Sequence, residues 1–80
     1  MDDAEIVSRI DALVEEEHQL EASHQGEGLD DKDRGRLRQL EVQLDQCWDL
    51  LRQRRARRHA GQDPDSAEAR SADVVEGYRQ

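Results

Sequence analysis

From residue 3 onward the apolar positions Ile6, Ile10, Leu13 and Leu20 are separated by 4, 3 and 7 residues, a spacing that keeps side chains on one face of an α-helix. Glu17 sits where a further apolar residue would complete the stripe. The pattern predicts a helix over 3–24 with a heptad-like seam and one polar interruption, widened by Val7 and Val14 beside it. Further along, Leu37, Leu40, Leu44, Cys47 and Leu51 follow spacings of 3, 4, 3 and 4 without a fault. They predict a second helix over 31–59, with Trp48 and Leu50 flanking its seam.

The residues between and around these stripes supply the stops. Asp2, Asp3 and Glu5 suit the positive end of the first helix dipole. Gly26 and Gly28 are candidate C-terminal caps, Asp30 is the cap of the second helix with Asp31 and Asp33 in its first turn, and Gly61 with Pro64 marks its end. Gly35 weakens that first turn by about 1 kcal/mol relative to alanine. A five- or six-residue connection joins antiparallel neighbours. In such a hairpin the numbers of facing residues share one sum, and Leu20 with Leu37, Leu13 with Leu44, Ile10 with Cys47 and Ile6 with Leu51 all give 57. Glu17 with Leu40 and Asp3 with Arg54 fall in the same register. Two stripes read independently agree layer by layer, which a wrong loop length would prevent.

The expected fold is therefore all-α: an antiparallel, coiled-coil-like two-helix hairpin over residues 1–60 and a partly ordered tail over 61–80. The tail reads as a short helix opened by Asp63 and Pro64 and running to Arg70, then an extended segment with Val74, Val75 and Tyr78. That last segment is either a strap docked on the helices or a flexible peptide for a partner. A lone hairpin leaves one side of every seam residue open. Val7, Val14, Trp48 and Leu50 have no partner inside it, so they are the expected interface of a homodimer, most simply a four-helix bundle.

Composition narrows the function. Eighty residues are room for one small domain, 40% of them are charged, and the single cysteine excludes a stabilising disulfide, a CxxC redox pair and a multi-cysteine zinc site. The N-terminus lacks the basic and apolar regions of a secretory signal, and no stretch approaches a membrane span, so a cytoplasmic protein without a membrane partner is expected. The formal net charge of −8 is unevenly placed, with −10 over residues 1–33, +5 over 34–59 and −3 over 60–80.

The basic segment ends in Arg52, Arg54, Arg55, Arg57 and Arg58. Five arginines in seven residues are able to displace counterions from a nucleic-acid backbone, but no aromatics interleave with them and no known binding motif contains them. In the 57 register they overhang Asp2, Asp3 and Glu5, and in a dimer they approach a partner's acidic loop at 27–33. Charge-matched packing is the simpler reading. Glu15 and His18 have the Glu-x-x-His spacing of carboxylate-bridged metal bundles, with Glu41 as a further ligand, yet Glu15 and His18 lie on the outer face while metal ligands must converge. Glu17, pointing inward, needs a partner such as Lys32, Arg38 or His24; with His24 it would form a proton-sensing pair. Cys47 in the seam behaves as a small hydrophobe. Without a phosphate loop, a nucleophile elbow or a converging carboxylate pair, neither an enzyme nor a cofactor is expected.

The stretches "MDDAEI..RIDALV.EEH.L", "LR.LEV.LDQCWDLLRQRRARR" and "G.DPD.AE.R....VVEGY" span nearly the whole chain. In them the sequence resembles a family of short actinobacterial proteins known only as a domain of unknown function. The resemblance implies a bacterial, helical protein and brings no activity, ligand or site residue. The expected role is a non-catalytic interaction or adaptor module that self-associates. The alternatives are a nucleic-acid-associated protein using the arginine run and, third, a dimeric carboxylate metal protein.

Overall fold

The computed structural model describes residues 1–23 and 28–77; the expectations attached to His24, Gly26, Glu27 and Tyr78 lie outside them. Its regular elements are α1 (Asp3–Ser23), α2 (Asp31–His59), a 3₁₀ turn (Pro64–Ser66) and α3 (Ala72–Gly77). All are helical, and none is long and apolar enough to cross a membrane among the described residues.

Each long helix begins where a side chain satisfies its first orphan amides. Asp2 accepts the Glu5 N–H at 2.8 Å while the Glu5 carboxylate accepts the Asp2 N–H at 3.3 Å, a reciprocal cap. Asp30 accepts the Asp33 N–H at 2.8 Å at the start of α2. At its end Gly61 takes φ +74, a left-handed conformation that glycine adopts without steric cost. The Gln62 N–H then reaches back to the Arg57 carbonyl at 2.8 Å, and the Gly61 N–H to that of Arg58 at 3.1 Å, which occupies two of the last free carbonyls.

The helices pack antiparallel. Asp3 meets Arg54, as the register sum of 57 requires, and Glu16 meets Arg36 towards the other end. Ile6, Ile10, Leu13, Leu40 and Cys47 form the buried core, and Val14, Leu20, Leu37, Leu44, Leu50 and Leu51 pack against it. The polar interruption is tolerated at little expense: Glu17 stays half-buried while Leu40, its register partner, is fully buried. Two of the expected interface residues, Val14 and Leu50, thus have neighbours within the chain.

The tail docks on α2, with its pieces in the opposite order to the one expected. Asp63 and Pro64 do open a turn, the Asp65 N–H donating to Asp63 at 2.9 Å, but Ala67 is extended and ends it. The helix comes later, where Ser71 accepts the Val74 N–H on its hydroxyl at 3.4 Å and the Val75 N–H on its carbonyl at 3.1 Å. Along the way α2 grips the tail by its backbone. Gln53 donates to the Glu68 carbonyl at 2.8 Å, Gln46 to that of Arg70 at 3.3 Å, and Arg54 to that of Pro64 at 3.2 Å. Beyond these clamps α3 packs on α2 and buries Val75.

The result is a slab of 51 × 26 × 14 Å with a radius of gyration of 15.0 Å, against the roughly 12 Å of a compact chain this long. α2 is its spine, with α1 along one edge and the tail along the other.

Gly35 lies inside α2, and a Cβ built there would meet nothing within 4 Å. Gly35→Ala therefore raises stability by about 1 kcal/mol. Gly61→Ala has the same open space but the wrong φ, and lowers stability by about 1 kcal/mol. Urea unfolding of the two variants tests both signs at once.

Candidate interaction surface

The arginine run is divided by the fold. Arg54 is 5% exposed. Its guanidinium donates through Nε to Asp3 Oδ1 on α1 and through Nη1 to Asp65 Oδ1 at 2.9 Å on the 3₁₀ turn, besides the Pro64 carbonyl. Arg58 lies over the same carboxylate, with Nη2 2.8 Å from Asp3 Oδ2. Asp3 is thus held below the ordinary carboxylate range, first by the Arg58 hydrogen bond and then by that of Arg54, while Asp3 and Asp65 hold the Arg54 proton more firmly. Asp2 and Glu5 are occupied in capping α1. Of the five arginines expected to form one basic patch, Arg54 is withdrawn into the structure and Arg58 is paired. Arg52 and Arg55 remain exposed and Arg57 half-exposed, without an ion pair among the described residues.

A second buried charge anchors the tail. Asp49, 4% exposed, accepts from Gln53 Nε2 at 2.9 Å and lies 3.6 Å from Arg70 Nε. Gln46, Asp49 and Gln53 form a polar stripe on α2, spaced 3 and 4 apart, that sequence reasoning passed over. Polar residues at helical spacing look like a solvated face, and here the two glutamines bind carbonyls, which leave no complementary residue type in the tail to match, while Asp49 alone has a charge partner there, Arg70.

The opposite flank of the seam is apolar and uncovered. At 100° per residue, Val7 and Val14 lie to one side of the α1 seam and Arg9 to the other; on α2, Trp48 and Leu50 are divided likewise. In an antiparallel pair these sides coincide in twos. Arg9, Cys47, Leu50 and the tail's Ala69 line one shallow cavity, which places Val7, Val14 and Trp48 together on the other face. Val7 is 46% and Trp48 48% exposed. Leu50, grouped by sequence with these interface candidates, faces the chain's own tail instead.

The remaining candidates stay apart. Glu15, accepting from Gln19 at 3.3 Å, and His18 are exposed on α1, Glu41 is exposed on α2, and no three potential metal ligands converge among the described residues. The ion pair at the loop end of α1 is Glu16 with Arg36, not Glu17 with Lys32 or Arg38. Arg36 holds the Glu16 carboxyl below its usual range. Burial pushes the Cys47 thiol up, against a smaller opposing effect of Arg9, the condition of an inert packing cysteine.

Comparison with known proteins gives the chain its kin. Residues 2–80 match the family described as "Protein of unknown function (DUF2630)". Uncharacterised proteins of Mycobacterium bovis and Mycobacterium tuberculosis are 49% identical over 77 residues, covering 95% of this chain and 88% of each relative. No solved structure matches. The chain belongs to this family.

Two outcomes follow from the ion network. Arg54→Gln lowers the urea midpoint more than Arg58→Gln, and Arg57→Gln leaves it within error, because only Arg54 is both buried and shared between two elements. With Asp3 and Glu16 depressed in the folded state, the unfolded chain takes up protons first on acidification. Their contribution is full above the ordinary carboxylate range and is lost as pH falls through that range to their lower folded values. Urea midpoints measured from pH 7 down to about pH 3 decline accordingly, and Asp3→Asn flattens the decline.

Proposed function

We propose that this member of the family is a non-catalytic protein-interaction module whose first partner is a second copy of itself, forming a homodimeric four-helix bundle. The observation that carries this reading is the face on which Val7 and Trp48 are exposed, with half-buried Val14 on the same side. Domains bury their apolar faces between two packed layers, whereas this slab is 14 Å thin, a single layer. Its broad face of 51 × 26 Å exceeds the roughly 800 Å² that each partner gives to a standard interface. A large aromatic at the centre of such a face is the usual anchor of an association. The inert state of Cys47 and the separation of Glu15, His18 and Glu41 favour interaction over chemistry, and the division of the arginine run favours a protein partner over nucleic acid.

Light scattering coupled to gel filtration at micromolar concentration gives the mass of a dimer. Trp48, the one tryptophan, shifts its emission to the blue as concentration rises. The variant with both Val7→Ser and Trp48→Ser elutes as a helical monomer. A wild-type chain that is folded and monomeric at these concentrations sinks the reading.

A further inference from the structure

The charges around Trp48 specify how a second copy lies on this face. Glu41, Trp48 and Arg55 are spaced by seven residues, and a heptad drifts only about 20° around a straight helix. They form a line nearly parallel to the α2 axis, with Trp48 at its centre and an exposed charge about 10 Å to either side. The acid lies towards the N-terminus and the base towards the C-terminus. Neither Glu41 nor Arg55 makes an ion pair among the described residues. Such a line is complementary to itself when reversed, and repels itself when laid parallel.

We propose that two copies associate about a two-fold axis passing beside Trp48, with α2 packed antiparallel on the partner's α2. The two indoles meet at the axis, and each Arg55 pairs with the partner's Glu41. Leu44 then lies against the aliphatic stem of the partner's Arg52, since these positions are equally displaced from Trp48. This geometry rests on the self-association reading above and adds an orientation to it.

The first helix fits the same axis. Register 57 sets Arg9 and Trp48 at the same level along the helix axes, on opposite faces, and the midpoint between Val7 and Val14 is only one to two residues away. The displacement of about 2 Å along the helix is taken up by an inclination of roughly 20° between the layers, the ordinary crossing angle of helical bundles. Val7 then lies on the partner's Val14, twice over, so the uncovered apolar residues and the unpaired charges are satisfied by one operation. A two-fold axis along the helices would instead set α1 on the partner's α2. Arg55 would then approach the acidic start of the partner's α1.

Charge reversal separates these arrangements. In an Arg55→Glu homodimer two glutamates face two glutamates, and in a Glu41→Arg homodimer two arginines face two arginines. Each variant alone weakens association by about tenfold or more, the sum of two lost attractions and two new repulsions, and the loss shrinks at high salt. An equimolar mixture of the two pairs Glu with Arg at both contacts and returns to wild-type affinity, as does E41R/R55E in a single chain. Both positions are exposed, and far-UV circular dichroism checks that each variant is helical. Sedimentation velocity reads the affinities. A wild type that dimerises while the mixture stays weak, or while single variants associate normally, overturns the antiparallel α2 contact and leaves self-association standing. A monomeric wild type overturns both.

Discussion

The buried guanidinium of Arg54 is the constraint around which the chain is arranged. Asp3 is at the start of α1 and Asp65 lies in the tail, and both converge on one cation that α2 carries into a site 5% exposed. A charge removed from water in this way is tolerable only with its donors used; Nε and Nη1 are spent on two carboxylates and one carbonyl. No two elements satisfy it alone. The register of the hairpin and the docking of the tail are therefore coupled, because shifting either leaves a buried donor unpaired. Apolar contacts of a heptad seam are nearly interchangeable between layers, whereas this ion pair admits one alignment.

From that knot the division of the molecule into faces follows. The tail starts from the Arg54 end, runs back along α2 over Gln53, Asp49 and Gln46, and ends with Val75 buried against it. It thereby covers the Leu50 flank of the seam with its own backbone. The flank with Trp48 receives none of the described tail. Six apolar residues are buried among those described, and the described tail lies on one side only, held mainly by carbonyl groups that the glutamines of α2 bind and at its end by Val75. What the described tail leaves bare is the face that carries Val7 and Trp48.

The hairpin was legible in the sequence because each of its signals is redundant. The cap at Asp30, the stop at Gly61, two seams and their common sum of 57 all require the same alignment, and α2 runs from Asp31 to His59 as the spacing predicts. Asp3 with Arg54 was visible as a register pair. Its burial was not, since burial depends on Asp65 folding over it, and the tail has no periodicity that reports its path. The helix at Ala72 had a local signal, Ser71 two residues before Asp73, that the eye drawn to Val74 and Val75 reads past. Gln46 and Gln53 had none, because a backbone carbonyl is present at every residue. The arginine run misled for a related reason: adjacency in sequence groups residues that a helix spreads over all its faces.

Two copies carrying a net charge of −8 each repel one another, and an interface between them has to overcome this at short range. The repulsion is a property of whole molecules and is screened beyond about 8 Å at physiological ionic strength. The acids that produce it are concentrated over residues 1–33, an arm that the proposed two-fold lays on its own copy, while the line through Trp48 beside it carries one acid and its matching base at equal distances from the centre. Opposed charges in contact are screened far less than distant like ones. Moderate salt thus removes more of the repulsion than of the attraction, and the locally balanced, apolar-centred stripe of this acidic protein suits the proposed association with its own copy.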